Sequence, residues 1–213
     1  MGQLTRRHAL MGAVAIGGLG ALSLGLAGCG EKSSGVVGNE DMTMGDPKAP
    51  VTMIEYGSLS CGHCGDWNAQ VLPAFKAKYI DTGKIFYVFR PFQLGPTDNY
   101  TSAADLLGRC AGKDKYFAVI DALFHSQQEA LMGGNPREVL LRVAGQAGMN
   151  EAQVSACLSD EKALIAQAER LTAGQAKEVR VTPTFFIGEQ KFESSLPLTE
   201  IDKAYEAEMA KKK

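Results

Sequence analysis

The stretch Val51-Thr52-Met53-Ile54-Glu55-Tyr56-Gly57-Ser58-Leu59-Ser60-Cys61-Gly62-His63-Cys64-Gly65 joins two contrasting patterns. Its first six residues are apolar or β-branched apart from Glu55 and predict a strand. A helix is predicted from Cys61 to about Ile80, kinked at Pro73, because proline removes an i to i−4 hydrogen bond. Two cysteines three apart at a helix start share one face. Their Cα separation there suits a disulfide. The helix N-terminus puts partial positive charge at the first sulfur, and His63 can add hydrogen bonding or a cation. Both favour thiolate over thiol, and stabilising the thiolate makes the disulfide a stronger oxidant. The pair has three readings: a redox centre, a structural staple or half of a zinc site. A staple within one turn closes a loop too short to constrain the unfolded chain much. Tetrahedral zinc needs a second ligand pair, and no other Cys-x-x-Cys or His-x-x-x-His is present. A redox pair is therefore expected, with no metal.

Outward from this stretch, Asp81-Thr82-Gly83 is a turn and Ile85-Phe86-Tyr87-Val88-Phe89 a second buried strand. Strand, helix, strand is the unit of a parallel pair. From 97 to 176 apolar residues recur at helical spacing, as in Leu140, Leu141, Val143, Ala144 and Ala147. Breaks fall near Gly133-Gly134-Asn135-Pro136 and Gly148-Met149-Asn150. The strand pattern returns in Thr184–Gly188 and Gln190–Phe192, and a last amphipathic helix starts near Thr199, its candidate N-cap. The expected fold is α/β: a mixed sheet flanked by helices, residues 41–96 and 177–213, interrupted by an all-helical insertion, residues 97–176. Glu55 is anomalous, since a central strand buried on both faces should be almost wholly apolar. It is either a buried carboxyl with a raised pKa, suited to moving protons, or a solvated residue at a strand end. Trp67 reads equally as packing or substrate contact, and His125 as packing or surface.

The N-terminus sets the compartment. Arg6-Arg7 precede an uncharged, glycine-rich, mildly hydrophobic segment, as in a twin-arginine export signal. It ends in Leu26-Ala27-Gly28-Cys29, which resembles a bacterial lipobox: cleavage after residue 28 would expose Cys29 for lipidation. An ordinary cleaved signal and an uncleaved membrane anchor are the alternatives. Residues 29–40, with Ser and Gly, read as a flexible tether. Removing residues 1–28 leaves 20 basic and 24 acidic side chains, a formal charge of −4, which gives no reason to expect a nucleic-acid partner. The remaining 185 or so residues suffice for one core plus an insert. Apart from Cys29, four cysteines remain, Cys61, Cys64, Cys110 and Cys157, which in an oxidising compartment read first as two disulfides.

Val181-Thr182-Pro183-Thr184-Phe185-Phe186-Ile187-Gly188 places a proline just before a strand, about 120 residues beyond the cysteines. With Glu55 through Cys64 and the helical insertion, this resembles the thioredoxin superfamily, and specifically its DsbA-type branch, from Met42 to the last helix. The resemblance implies that Cys61 is the nucleophile that forms a mixed disulfide with substrate and Cys64 the buried resolving cysteine. Pro183 would be the family's cis-proline, leaving the backbone beside Thr182 free to pair with an extended substrate; a trans proline opening an edge strand is the alternative. Glu55 would lie beneath the disulfide and serve the second cysteine's proton. Cys110 and Cys157 would form a second, non-catalytic disulfide, as in some α-proteobacterial DsbA-type proteins; two buried free thiols are the alternative.

The activity so implied is extracytoplasmic protein dithiol oxidation, with reduced exported proteins as clients and no cofactor. Reoxidation would fall to a membrane partner of the DsbB or vitamin-K-epoxide-reductase type. Isomerases of the family usually carry an N-terminal dimerisation domain, and only about a dozen residues precede the fold after Cys29, so a monomer is expected. Thr182 and the Gly-His dipeptide also occur in reductases and isomerases, so a reduced-state isomerase or reductase stands as the rival. A binding lipoprotein or thiol chaperone without turnover is the reading from another class.

Overall fold

The computed structural model describes residues 37–175 and 179–213. The export segment, Cys29 and most of the tether lie outside the described residues. Five strands form one sheet in the order β1-β3-β2-β4-β5. They are β1 (Met42–Met44), β2 (Val51–Gly57), β3 (Ile85–Pro91), β4 (Thr184–Ile187) and β5 (Gln190–Glu193). β2 and β3 are parallel, with Val51 opposite Ile85 and Glu55 opposite Phe89. β1–β3, β2–β4 and β4–β5 are antiparallel, so the sheet is mixed. β2 sits at its centre, and six of its seven residues are buried, which is why this segment is so apolar. Met53, Tyr87, Phe89, Phe185 and Ile187 enter the main core with Trp67 and Phe75, while Ile54, Tyr56 and Val88 pack on the opposite face.

The segment after the cysteines is broken where Pro73 demands it. α1 (Gly62–Gln70) stops, Val71 stays in the right-handed helical region but at a distorted φ of −110°, and α2 (Leu72–Phe75) restarts with the proline in its first turn. There its missing N–H costs nothing. A single π-helical turn, Lys76–Ile80, follows.

The insertion consists of α3 (Asn99–Ala111), α4 (Lys113–His125), α5 (Gln127–Leu131), α6 (Pro136–Gln146), α7 (Glu151–Leu158) and α8 (Glu161–Gln175). Asn135 and Asn150 cap α6 and α7 by accepting from Arg137 N–H and Gln153 N–H. Thus the Gly-Gly-Asn-Pro and Gly-Met-Asn breaks are helix starts with their own chemistry. A disulfide joins Cys110 on α3 to Cys157 on α7, with S–S 2.08 Å and Cα–Cα 6.2 Å.

The last helix differs at its start. α9 (Leu198–Ala210) has Pro197 in the N-cap position, with Thr199 already inside the first turn. The Pro197 carbonyl accepts from Glu200 and Ile201 N–H at 3.0 and 3.2 Å, and the proline's fixed φ of −71° aims the chain without a side-chain cap.

Candidate active site

Cys61 occupies the N-cap of α1 in extended geometry, and its carbonyl accepts the Cys64 and Gly65 N–H at 3.1 and 3.2 Å. Those bonds close the first turn and set both cysteines on one face. Cys64 is fully buried; Cys61 retains 8 % exposure. Both are free thiols in this structure. Opposite them, the Thr182–Pro183 peptide is cis, and the Cys61 thiol donates to the Thr182 carbonyl at 3.2 Å. Residues 121 positions apart thus meet through the sheet, because β4, which Pro183 precedes, pairs with β2.

The two sulfurs are electrostatically unequal. Cys61 is lowered from 9.0 to about 5, chiefly by a hydrogen bond from the Cys64 thiol, against the effect of burial. Thr182 and the backbone N–H groups of Cys64 and His63 add to the lowering. The Thr182 hydroxyl is buried with no hydrogen-bond partner among the described residues. His63 is exposed, and its contribution to Cys61 comes through its backbone N–H. Cys64 moves the opposite way, well above its ordinary value, first by burial, then by its bond to Cys61 and the negative charge of Glu55. Its sulfur accepts the Ser58 N–H at 3.4 Å.

Glu55 is 2 % exposed, so it is a buried carboxyl rather than a solvated residue at a strand end. Burial pushes it from 4.5 up to about 8, opposed by the Tyr87 hydroxyl, which donates to Oε2 at 2.7 Å, and assisted by the charge on Cys61. Gly57 makes room for it: a Cβ there would lie 2.9 Å from Glu55 Oε1 and 2.7 Å from the Phe89 ring. Glu55 also lines a cavity of about 330 Å³ with Asn68, Leu72, Lys76, Phe117 and Phe124.

A raised carboxyl pKa penalises the folded state increasingly as pH rises from the unfolded value to the folded one, and fully above it. The penalty is absent below about pH 4.5, grows as pH rises, and is complete above about pH 8. Glu55→Gln is therefore expected to stabilise the protein by on the order of 3 kcal/mol at high pH and by little at pH 4. Thermal unfolding across pH checks this; a gain that does not grow with pH would count against a buried, titrating Glu55.

Three side chains at the site escaped sequence reading. Tyr87 looked like an ordinary aromatic strand residue. Asp98 caps α3 by accepting from Thr101 N–H, and the same carboxylate accepts from Ser58 Oγ at 3.0 Å and Ser60 Oγ at 2.6 Å. Gln127 reaches the catalytic loop from α5. Trp67 is packing: it is buried, donates Nε1–H to the Leu196 carbonyl at 2.8 Å, and lies 4.8 Å from the Phe185 ring. His125 is exposed, with its ring against the Asp121 carbonyl. Among the described residues, no group of three or more His, Cys, Asp or Glu could hold a metal ion. No helix among them is long and apolar enough to cross a membrane.

Comparison with known proteins places this geometry. The thioredoxin family model matches residues 38–207. A Rickettsia conorii protein named as a protein-disulfide oxidoreductase is 32 % identical over 182 residues, which is 83 % of this chain and 65 % of the relative. The chain thus spans less than two thirds of that relative's length. The crystal structure of Wolbachia pipientis α-DsbA1 superposes with a TM-score of 0.74 at 30 % identity, covering 85 % of this chain and 99 % of that one. Oxidised BdbD from Bacillus subtilis, at 20 % identity and a TM-score of 0.70 over 80 % of this chain and 93 % of its own, shares the fold. Matched across its sheet and insertion alike, the chain belongs to the thioredoxin family and, within it, to the DsbA-type branch.

Proposed function

We propose that this protein is an extracytoplasmic dithiol oxidase that passes the Cys61–Cys64 disulfide to exported proteins. The observation that carries the proposal is the acidity of Cys61, lowered to about 5, beside the Thr182–Pro183 backbone. A reduced form held as thiolate is a stabilised reduced form, and its disulfide is correspondingly oxidising.

In the forward direction a substrate thiolate attacks Cys61 Sγ and the Cys61–Cys64 bond breaks. Cys64 leaves with the electron pair and, being strongly basic where it lies, takes up a proton; Glu55, protonated at neutral pH, is the acid placed to supply it. The substrate's second thiolate then attacks the substrate sulfur of the mixed disulfide. Cys61 departs as a stable thiolate, a good leaving group. Two electrons have moved from the substrate dithiol to the cysteine pair. A membrane partner of the DsbB or vitamin-K-epoxide-reductase type would remove them. Thr182 and Pro183 would hold an extended client segment, His63 would help tune Cys61, and Cys110–Cys157 would be structural. The lipobox-like sequence at Cys29 and Arg6-Arg7 support export and a lipid anchor, with the protein acting as a monomer.

Equilibration with glutathione tests the direction. A potential well above thioredoxin's value of about −270 mV is expected, toward the oxidising end of the family near −120 mV. A value at thioredoxin's level would replace the oxidase with a reductase or isomerase.

A further inference from the structure

We propose that Gln127, on the helical insertion, is a positioning residue for Cys61, acting through the carbonyl groups of the catalytic loop. This rests on the thiol-exchange reading of the Cys61–Cys64 site but not on the direction of electron flow.

The Gln127 Nε2 donates to the Leu59 carbonyl at 2.7 Å and to the Cys61 carbonyl at 2.9 Å. The side chain is only 7 % exposed, so these bonds are made away from bulk water, where a hydrogen bond is electrostatically stronger. One carboxamide therefore grips the Leu59–Ser60 and Cys61–Gly62 peptide planes, which bracket Ser60 and Cys61. The Cys61 carbonyl is also the first acceptor of α1, receiving the Cys64 and Gly65 N–H. Fixing that plane fixes ψ of Cys61, 118° here. It thereby sets the angle at which the first turn presents the His63 and Cys64 N–H groups to the sulfur.

Residue 65 bears on the same contact. A Cβ on Gly65 would stand 2.8 Å from Gln127 Oε1, closer than real Cβ contacts come. A side chain at residue 65 therefore requires the Gln127 carboxamide to shift from its place across the first turn. On the other flank, Asp98 holds Ser58 and Ser60 by their hydroxyls, so the loop is gripped at its side chains from one end of the insertion and at its carbonyls from α5.

The test is a spectroscopic titration of the Cys61 thiolate in the reduced protein, paired with its alkylation rate. Gln127→Met keeps the bulk and removes the donor. It is expected to raise the thiolate midpoint by about one pH unit and to slow alkylation about threefold at pH 4, where a roughly tenfold loss of thiolate is partly offset by the higher reactivity of a more basic sulfur. Gly65→Ala keeps the amide but pushes against it without weakening the helix, and should shift the midpoint the same way. Gln167→Met is the control. Gln167 is a buried glutamine of the insertion that donates to the Ser102 carbonyl and Asp105, away from the catalytic loop. It should lower Tm and leave the midpoint in place. If Gln127→Met does not fold, Gly65→Ala alone decides. Midpoints within about 0.2 unit of the parent, or an equal shift in Gln167→Met, would overturn the proposal. A thioredoxin-like potential in the parent protein would instead overturn only the oxidase reading.

Discussion

Cys64→Ala is expected to end turnover and to leave Cys61 covalently loaded. When the reduced parent meets a peptide whose cysteine is activated as a mixed disulfide, Cys61 attacks the peptide sulfur and expels the activating group. Cys64 then attacks Cys61 Sγ, the peptide leaves as a thiol, and the Cys61–Cys64 disulfide remains. Without Cys64 the second step has no nucleophile. Intact-mass measurement should find one peptide per chain, stable over a time in which the parent has released it, and oxidation of a dithiol substrate should fall to the uncatalysed rate. The pH dependence sharpens the expectation. The Cys64 thiol is the largest cause of Cys61's low value, so its removal must move the Cys61 midpoint up from about 5 toward an ordinary thiol. The adduct should therefore form much more slowly than in the parent near pH 5, where the variant holds little thiolate, and gain speed as pH rises, whereas the parent's rate levels off above its low midpoint. Continued turnover by Cys64→Ala would sink the assignment of Cys64 as the resolving thiol. Binding that survives Cys61→Ala with full activity would favour the chaperone reading.

The second large effect concerns stability. The Cys110–Cys157 bond spans 47 positions, tying α3 to the eight-residue α7. Closing a loop of that length removes conformational freedom from the unfolded chain worth about 4 kcal/mol in the chain-entropy picture. The double variant Cys110→Ala/Cys157→Ala should therefore lose about 4 kcal/mol, which for a domain of this size means a fall in Tm of roughly 8–16 °C. Its denaturant m-value should rise, because an uncrosslinked unfolded chain exposes more surface. The Cys61 thiolate midpoint should stay where it is. An unchanged Tm would mean that the bond contributes nothing in solution.

Much of the fold could be read from residues because its decisive parts are locally consistent. β2 and β3 are dense in β-branched and aromatic side chains, the Gly-Asn-Pro breaks carry their own capping groups, and the approach of Thr182-Pro183 to Cys61 follows a family pattern. β1 was missed because three residues, Met42 to Met44, have no periodicity; their strand exists only by pairing with Phe89, Val88 and Tyr87. Thr199 misled as a cap because proline set the chain direction two residues earlier. At the site, Glu55 was visible as a charge where none belongs, whereas Tyr87, Asp98 and Gln127 are each commonplace for their element. A strand tyrosine, an aspartate before a helix and a helical glutamine all have ordinary local uses. Their roles arise from contacts across 32 to 68 positions, which no local pattern encodes.

Asp98 has a consequence for how the molecule opens. The carboxylate that caps α3 is the one that fastens Ser58 and Ser60, so fraying the insertion's first turn also unfastens the loop beneath the reactive sulfur. Catalytic loop and insertion then share one opening event in amide exchange instead of two. The insertion is part of the cooperative unit that keeps Cys61 in place.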